Sequence, residues 1–171
     1  MRDTIHGEAA KLKRVLELVR RDLPLGEVGV VDAFVDSCLA DGLSAGRTCR
    51  YVYCLRKIRG LLDVDFKDVS RGDVERVMLA LNGMGYAPQT LLFFRVAFKK
   101  FYRWLRGSEE TPPEGAWLRS TVKESEQILP EDILSPEEVK MMLAAAMSIR
   151  DKVFIETLYD GGLRIGEMLG L

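Results

Sequence analysis

Cysteine is scarce in this 171-residue sequence, and its three cysteines are Cys38, Cys49 and Cys54. An odd, small number of cysteines argues against a disulfide framework and fits a reducing compartment. Cys49 and Cys54 are five positions apart, so they do not share one face of a helix and are a poor pair of metal ligands. We therefore expect neither disulfides nor a bound metal.

The sequence also lacks a long hydrophobic run. No apolar stretch approaches the roughly 20 residues that span a bilayer, and the first residues, Met1 to His6, do not form an apolar signal segment. With 47% hydrophobic and 30% charged residues the chain is typical of globular rather than disordered proteins. We expect a cytoplasmic protein with no membrane partner. The length allows one domain, or a small domain plus part of another.

The formal net charge of −1 hides an uneven distribution of charge. Residues 1–107 hold 19 Lys and Arg against 13 Asp and Glu, a net charge of +6. Residues 108–171 hold 6 against 13, a net charge of −7. This distribution says more about a nucleic-acid partner than the overall charge does, because a basic segment is the electrostatic signature of such proteins.

Apolar residues recur at helical spacing, and turn residues separate the periodic segments, so the sequence predicts an all-α fold. Ser44 and Ser70 are suited to cap helices, and Gly107 is suited to end one. We treat residues 1–27 as an N-terminal extension that is helical. The predicted helices of the first part cover residues 7–22, 28–39, 44–62, 70–81 and 88–106.

Residues 108–134 contain Pro112-Pro113 and Gly115 without a clear period, which predicts a linker. The segment Ser135-Pro136-Glu137-Glu138 then has the composition of a strong helix start. Further helices are expected over 149–159 and from Leu163 onward, with Gly161-Gly162 between them. Because residues 135–171 bury little core alone, we expect them to begin a domain whose remainder lies elsewhere.

Two of the predicted helices are basic on one side and carry no acidic residue. The residues predicted to face outward from these helices are Arg50, Tyr53, Arg56 and Lys57, and Arg95, Lys99, Tyr102, Arg103 and Arg106. Arg47 lies near the start of the first of the two helices and is counted with them as DNA-binding. A solvated surface usually mixes both signs of charge, so a polyanionic partner explains the pattern better. An α-helix fits the major groove of duplex DNA, and Lys and Arg reach its phosphates. The aromatic residues at helical spacing from Phe93 to Trp104 are interpreted as core.

Three segments in order resemble the tyrosine recombinases, or phage-integrase family, over roughly residues 28–171. The first resembles the opening of that family's core-binding domain and comprises Gly42-Leu43-Ser44, Thr48, Tyr51 and Leu55. The second resembles the domain's last helix and comprises Ala87-Pro88-Gln89-Thr90 and Phe101-Tyr102-Arg103-Trp104-Leu105. The third resembles the entry of the catalytic domain and comprises Leu129-Pro130, Leu134 to Val139, Arg150-Asp151 and Gly162-Leu163-Arg164-Ile165-Gly166-Glu167.

The resemblance implies a SAM-like helical core-binding domain over residues 28–107, a linker over 108–134 and the start of an α+β catalytic domain over 135–171. It implies that both domains clamp double-stranded DNA, with Thr48 joining the DNA-binding residues. It further implies phosphoryl transfer through a tyrosine, without metal or nucleotide cofactor, in homotetramers on paired sites. Arg164 corresponds to the first catalytic arginine, which stabilises charge on the phosphorane. Glu167 is expected to orient local structure.

The family's remaining active-site motifs have no counterpart in the sequence. These motifs include a His-x-x-Arg, and the only histidine, His6, is followed by Gly7-Glu8-Ala9. Tyr159 precedes Arg164 and is interpreted as a helix residue rather than the nucleophile. We therefore expect these residues to be the N-terminal portion of a site-specific recombinase or integrase that binds duplex DNA without cleaving it. Two alternatives are a stand-alone DNA-binding regulator or assembly partner derived from an integrase, and a helical interaction module with acidic protein partners.

Overall fold

The computed structural model describes residues 7–121 and 133–170. All regular secondary structure in these ranges is helical, which confirms the all-α prediction for the described residues. The chain divides into two compact units, Met1–Glu126 and Gln127–Leu171. Within the described ranges, no helix has both the length and the apolar character that crossing a membrane requires.

Six α-helices and a short 3₁₀ turn make up the described part of the first unit. They are α1 (Glu8–Asp22), α2 (Leu25–Ala40), α3 (Ala45–Arg59), the 3₁₀ turn (Phe66–Asp68), α4 (Arg71–Gly83), α5 (Pro88–Arg106) and α6 (Pro113–Ala116). Ser44 and Ser70 cap α3 and α4 as predicted. Gly107 ends α5 with a φ of 62°, a left-handed conformation that glycine adopts without strain.

An aromatic cluster centred on α5 forms the core of the first unit, which confirms the interpretation of these side chains as core. The Phe101 ring lies 5.2 Å from Phe34 of α2 and 4.8 Å from Phe66, each in an edge-on arrangement. Phe98 stacks on Tyr102 with 4.1 Å between ring centroids. Burying a side chain of this size stabilises the fold by about 1.5–3 kcal/mol, so α5 contributes much of the unit's stability.

Helix α1 is part of this core, because its apolar side chains Leu12, Val15 and Val19 are buried in the same cluster. The described start of the expected linker also packs against the first unit. Leu118 is buried in the cluster, and a Cβ at Gly115 would come 2.8 Å from the Phe98 ring. The functional division of the chain at residues 27 and 107 stays a prediction.

The described part of the second unit contains α7 (Pro136–Ala145), α8 (Ile149–Gly161) and α9 (Ile165–Met168). Ser135 and Glu138 form the predicted capping box of α7, and Gly162 ends α8 with a φ of 57°. Val139 is the one buried hydrophobic side chain among the described residues of this unit, while Met141 and Val153 are more than half exposed. These helices therefore build little core by themselves, as the sequence predicted.

Candidate nucleic-acid interface and phosphate site

Helices α3 and α5 pack side by side, and aromatic contacts fix their relative position. The Tyr51 ring of α3 stacks on Phe93 of α5, with 5.7 Å between centroids. The Arg50 guanidinium lies 3.8 Å from the centroid of the same Phe93 ring, which is the geometry of a cation–π contact. This contact holds an exposed α3 cation at the boundary with α5.

The outward sides of the two helices carry cations at intervals of one or two turns. Arg50 and Lys57 lie on the side of α3 opposite its buried residues, and Lys99 and Arg103 lie on the corresponding side of α5. Because the two helices are neighbours that bury their inner sides in one core, these outward sides adjoin. We call this set of four residues the basic face. Tyr53, with 49% of its surface exposed, lies next to Lys57 on α3.

Several cations of α3 and α5 form no salt bridge with any described residue. They are the four residues of the basic face together with Arg47 and Arg95. Arg103 only donates a long 3.4 Å hydrogen bond to the Lys99 carbonyl of its own helix. Their charge is not neutralised by a described carboxylate and is available to an anionic ligand.

Two of the arginines predicted to bind DNA are instead engaged within the protein. The Arg56 Nε donates to Asp22 at 2.6 Å. Hydrogen bonds from Arg21 and from Arg56 hold the pKa of the Asp22 carboxyl below its usual value. Arg106 donates to Glu114 at 3.0 Å and to the Lys67 carbonyl at 2.9 Å. Sequence reasoning missed both carboxylate partners, because neither lies on the same helix as its arginine.

The prediction that Tyr102 faces outward is wrong. Its side chain has 0% exposure. The Phe98 ring stacks on it, and the start of α4, which contains Asp73, and α6, which contains Glu114, lie nearby. Burial raises the pKa of the Tyr102 hydroxyl. The buried side of α5 is wider than its apolar pattern indicated, because α6 covers a flank that the sequence assigned to solvent.

Thr48 is also buried, although it was predicted to bind DNA. Its side chain has 0% exposure, and Tyr51 and Val52, one turn further along α3, are buried with it. A residue one turn before buried positions shares their face, so Thr48 belongs to the packed side of α3. This burial does not favour the predicted contact between Thr48 and DNA, which stays a prediction.

In the second unit, Arg164 is the residue immediately before α9, where the sequence placed it at a helix start. Its side chain is 89% exposed, and its guanidinium lies 3.7 Å from the Glu167 carboxylate. The Glu167 carboxylate also accepts a 2.8 Å hydrogen bond from the Arg164 backbone N–H. Glu167 thus contacts both the backbone and the side chain of Arg164, while most of that side chain stays exposed. Tyr159 is 48% exposed on α8.

Comparison with known proteins finds recombinases. The chain is 30% identical to tyrosine recombinase XerC of Shewanella sp. (strain ANA-3) over 138 residues, which are 75% of this chain and 44% of that protein. It is 29% identical over 150 residues to XerD of Caulobacter vibrioides, covering 82% and 48% of the two chains. It is 31% identical over 113 residues to XerC of Roseiflexus sp. (strain RS-1), covering 63% and 36%. By sequence, the chain belongs to the tyrosine recombinase family.

The chain spans between a third and a half of the length of these tyrosine recombinases. No family model matches it, and no solved structure matches it. Among the described residues, no group of three or more His, Cys, Asp and Glu side chains is arranged to hold a metal ion.

Proposed function

We propose that this chain is the N-terminal portion of a site-specific DNA recombinase. In this proposal residues 28–107 bind duplex DNA through α3 and α5, residues 108–134 connect the domains, and residues 135–171 begin the catalytic domain. The family relationship supports the recombinase assignment, since the related proteins are named as tyrosine recombinases XerC and XerD.

The observation that carries the DNA-binding proposal is the basic face. Helices α3 and α5 together contain ten Lys and Arg and no Asp or Glu. Six of those cations form no salt bridge with a described residue. Assembling like charges on adjacent helices is unfavourable unless an anionic partner offsets the repulsion, and the phosphate backbone of duplex DNA provides such a partner. The dimensions of an α-helix also fit the DNA major groove.

We assign Arg164 the role of contacting the scissile phosphate. A guanidinium is permanently charged and can donate two parallel hydrogen bonds, which suits the stabilisation of a pentavalent phosphorane. Glu167 acts as a positioning residue that limits the conformations open to Arg164. In the whole protein a tyrosine supplied from outside these 171 residues attacks the phosphate, and homotetramers assemble on paired sites. The chain as given binds DNA and does not cleave it.

The experiment is duplex binding measured by fluorescence anisotropy from low to physiological salt. We expect binding that weakens steeply with salt, because each neutralised phosphate releases counterions. The double variant Lys57→Glu and Lys99→Glu should weaken binding at least about tenfold on any duplex sequence. Lys140→Glu on α7 removes the same kind of charge from the other unit and should have little effect.

Absence of binding at low salt, or a double variant that binds as tightly as the unaltered chain, overturns the DNA-binding proposal. Circular dichroism of the double variant shows whether the helices are retained, so that loss of binding is not confused with loss of fold.

A further inference from the structure

We propose that α1 is a third DNA-contacting helix, in which Lys11 and Arg14 contact backbone phosphates beside the basic face. This inference rests on the proposed DNA binding by α3 and α5, and extends it to a segment that the sequence left without a function. The inference is limited to phosphate contacts, because α1 lies beside α3, the helix that would face the bases.

Carboxylates at both ends of α1 hold it alongside α3. At one end the Glu8 carboxylate accepts a 3.2 Å hydrogen bond from the Gly46 N–H in the first turn of α3. At the other end Asp22 binds Arg56 in the last turn of α3. The N-terminal ends of α1 and α3 are therefore close together, and their C-terminal ends are also close together. The two helices run parallel.

The orientation of α1 about its axis follows from two contacts. Arg20 lies 3.4 Å from Asp32, which identifies the flank of α1 that faces α2. Successive helical residues are about 100° apart, so Lys11 lies opposite Arg20, and Arg14 lies about 120° from it. Lys13 lies only about 20° from Arg20 by the same geometry. Lys11 and Arg14 therefore occupy the flank away from α2, and Lys13 occupies the flank toward it.

A second observation places Lys11 beside α3. Burial raises the pKa of the Cys49 thiol on α3, and the Lys11 ammonium partly opposes that effect, which requires the two groups to be close. Cys49 and Gly46 mark the side of α3 that adjoins α1. Around the helix, Lys57 and Arg50 come next, before the side that meets α5. Arg50 and Lys57 thus lie on the side of α3 between α1 and α5.

The flank of α1 bearing Lys11 and Arg14 consequently continues the basic face. Both side chains are exposed, and neither forms a salt bridge with a described residue. Packed helices are about 8–10 Å apart, and the major groove is about 12 Å wide. When α3 occupies the groove, a helix beside it meets the phosphates along the groove's edge. Lys and Arg are the side chains that bind those phosphates.

The test compares two lysines on the same helix, Lys11→Glu and Lys13→Glu, in the anisotropy assay at about 0.1 M salt. At this ionic strength the Debye length is about 10 Å, so a charge that does not touch DNA is largely screened. We expect Lys11→Glu to weaken binding about three- to tenfold on both random and specific duplexes. The slope of log K against log salt should also fall in magnitude by about one. Lys13→Glu should change neither quantity.

Equal effects of the two reversals, or no effect of Lys11→Glu, overturn the inference about α1. The Lys57→Glu and Lys99→Glu variant in the same assay tests the proposed function separately. If that variant loses binding while Lys11→Glu does not, the basic face binds DNA and α1 does not. Lys11→Gln keeps the stem of the side chain, so a smaller loss of the same sign should follow if the phosphate contact is the cause.

Discussion

At the scale of single residues, Tyr102 shows how burial decides what a polar group does. Its hydroxyl is enclosed by protein and has no hydrogen-bond partner among the described residues. A buried, unpaired hydroxyl lowers stability relative to an apolar group of the same shape. The side chain therefore contributes through its ring, which stacks on Phe98 and meets Phe101 edge-on.

We predict that Tyr102→Phe leaves the free energy of unfolding unchanged or raises it by up to about 1 kcal/mol. Duplex affinity should not change, since the hydroxyl does not reach the surface. Urea unfolding and anisotropy measure the two quantities. A loss of affinity with intact stability would show that the hydroxyl contacts DNA, as its outward placement on the sequence pattern implied.

At the scale of helices, serine caps define where several elements begin. Ser70, Ser135 and Ser148 each accept a hydrogen bond from the third residue of α4, α7 and α8. In α4 and α7, the acidic side chain at that third position also accepts a hydrogen bond from the backbone N–H of the capping serine. The hydrogen bonds with Ser70 lower the pKa of Asp73 below its ordinary value of 3.8.

This shift predicts how the α4 cap responds to acid. Because the pKa of Asp73 is lower in the folded state, its contribution to stability is full above pH 3.8 and is lost as the pH falls through the folded value. Asp73→Asn should therefore be less stable than the unaltered chain at neutral pH, and the difference should shrink below pH 3.8. Thermal unfolding from pH 7 to pH 2 measures it. A constant difference across that range would contradict the role of the charged carboxylate.

At the scale of the whole first unit, Glu27 connects segments that are far apart in the sequence. Its buried carboxylate accepts a 2.8 Å hydrogen bond from the Phe66 N–H, 39 positions away, and forms an ion pair with Arg59. Arg59 in turn donates to the Leu62 carbonyl at 2.9 Å. This network joins α2, the end of α3 and the 3₁₀ turn that positions the Phe66 ring in the core.

We predict that Glu27→Ala lowers the free energy of unfolding by about 3–5 kcal/mol, because it leaves the Arg59 charge and the Phe66 N–H without their partner. The matched control is Asp32→Ala on the same helix, which removes an exposed pair with Arg20 and should cost less than about 1 kcal/mol. Equal effects in denaturant titrations would show that the buried network does not stabilise the unit.

The order of the helices along the chain and most of their limits were predictable from the sequence, because helical periodicity and capping depend on residues a few positions apart. The predicted and observed limits of α5 agree at both ends, where Pro88 and Gly107 act locally. By contrast, α2 begins at Leu25 rather than at residue 28, since it starts directly after Pro24. The prediction ended α3 at Leu62, but the helix ends at Arg59, three residues earlier.

The helical class, the aromatic core of α5 and the one-signed charge of α3 and α5 could be predicted from the sequence, because each follows from local pattern and composition. Which of these cations pair with a carboxylate depends instead on how the helices pack in three dimensions. Arg56 and Arg106 are paired through contacts with Asp22 and Glu114, which periodicity within one helix does not encode. Packing of α6 buried Tyr102, and packing of α1 against α3 brought Lys11 beside the basic face. These outcomes depend on which distant segments meet.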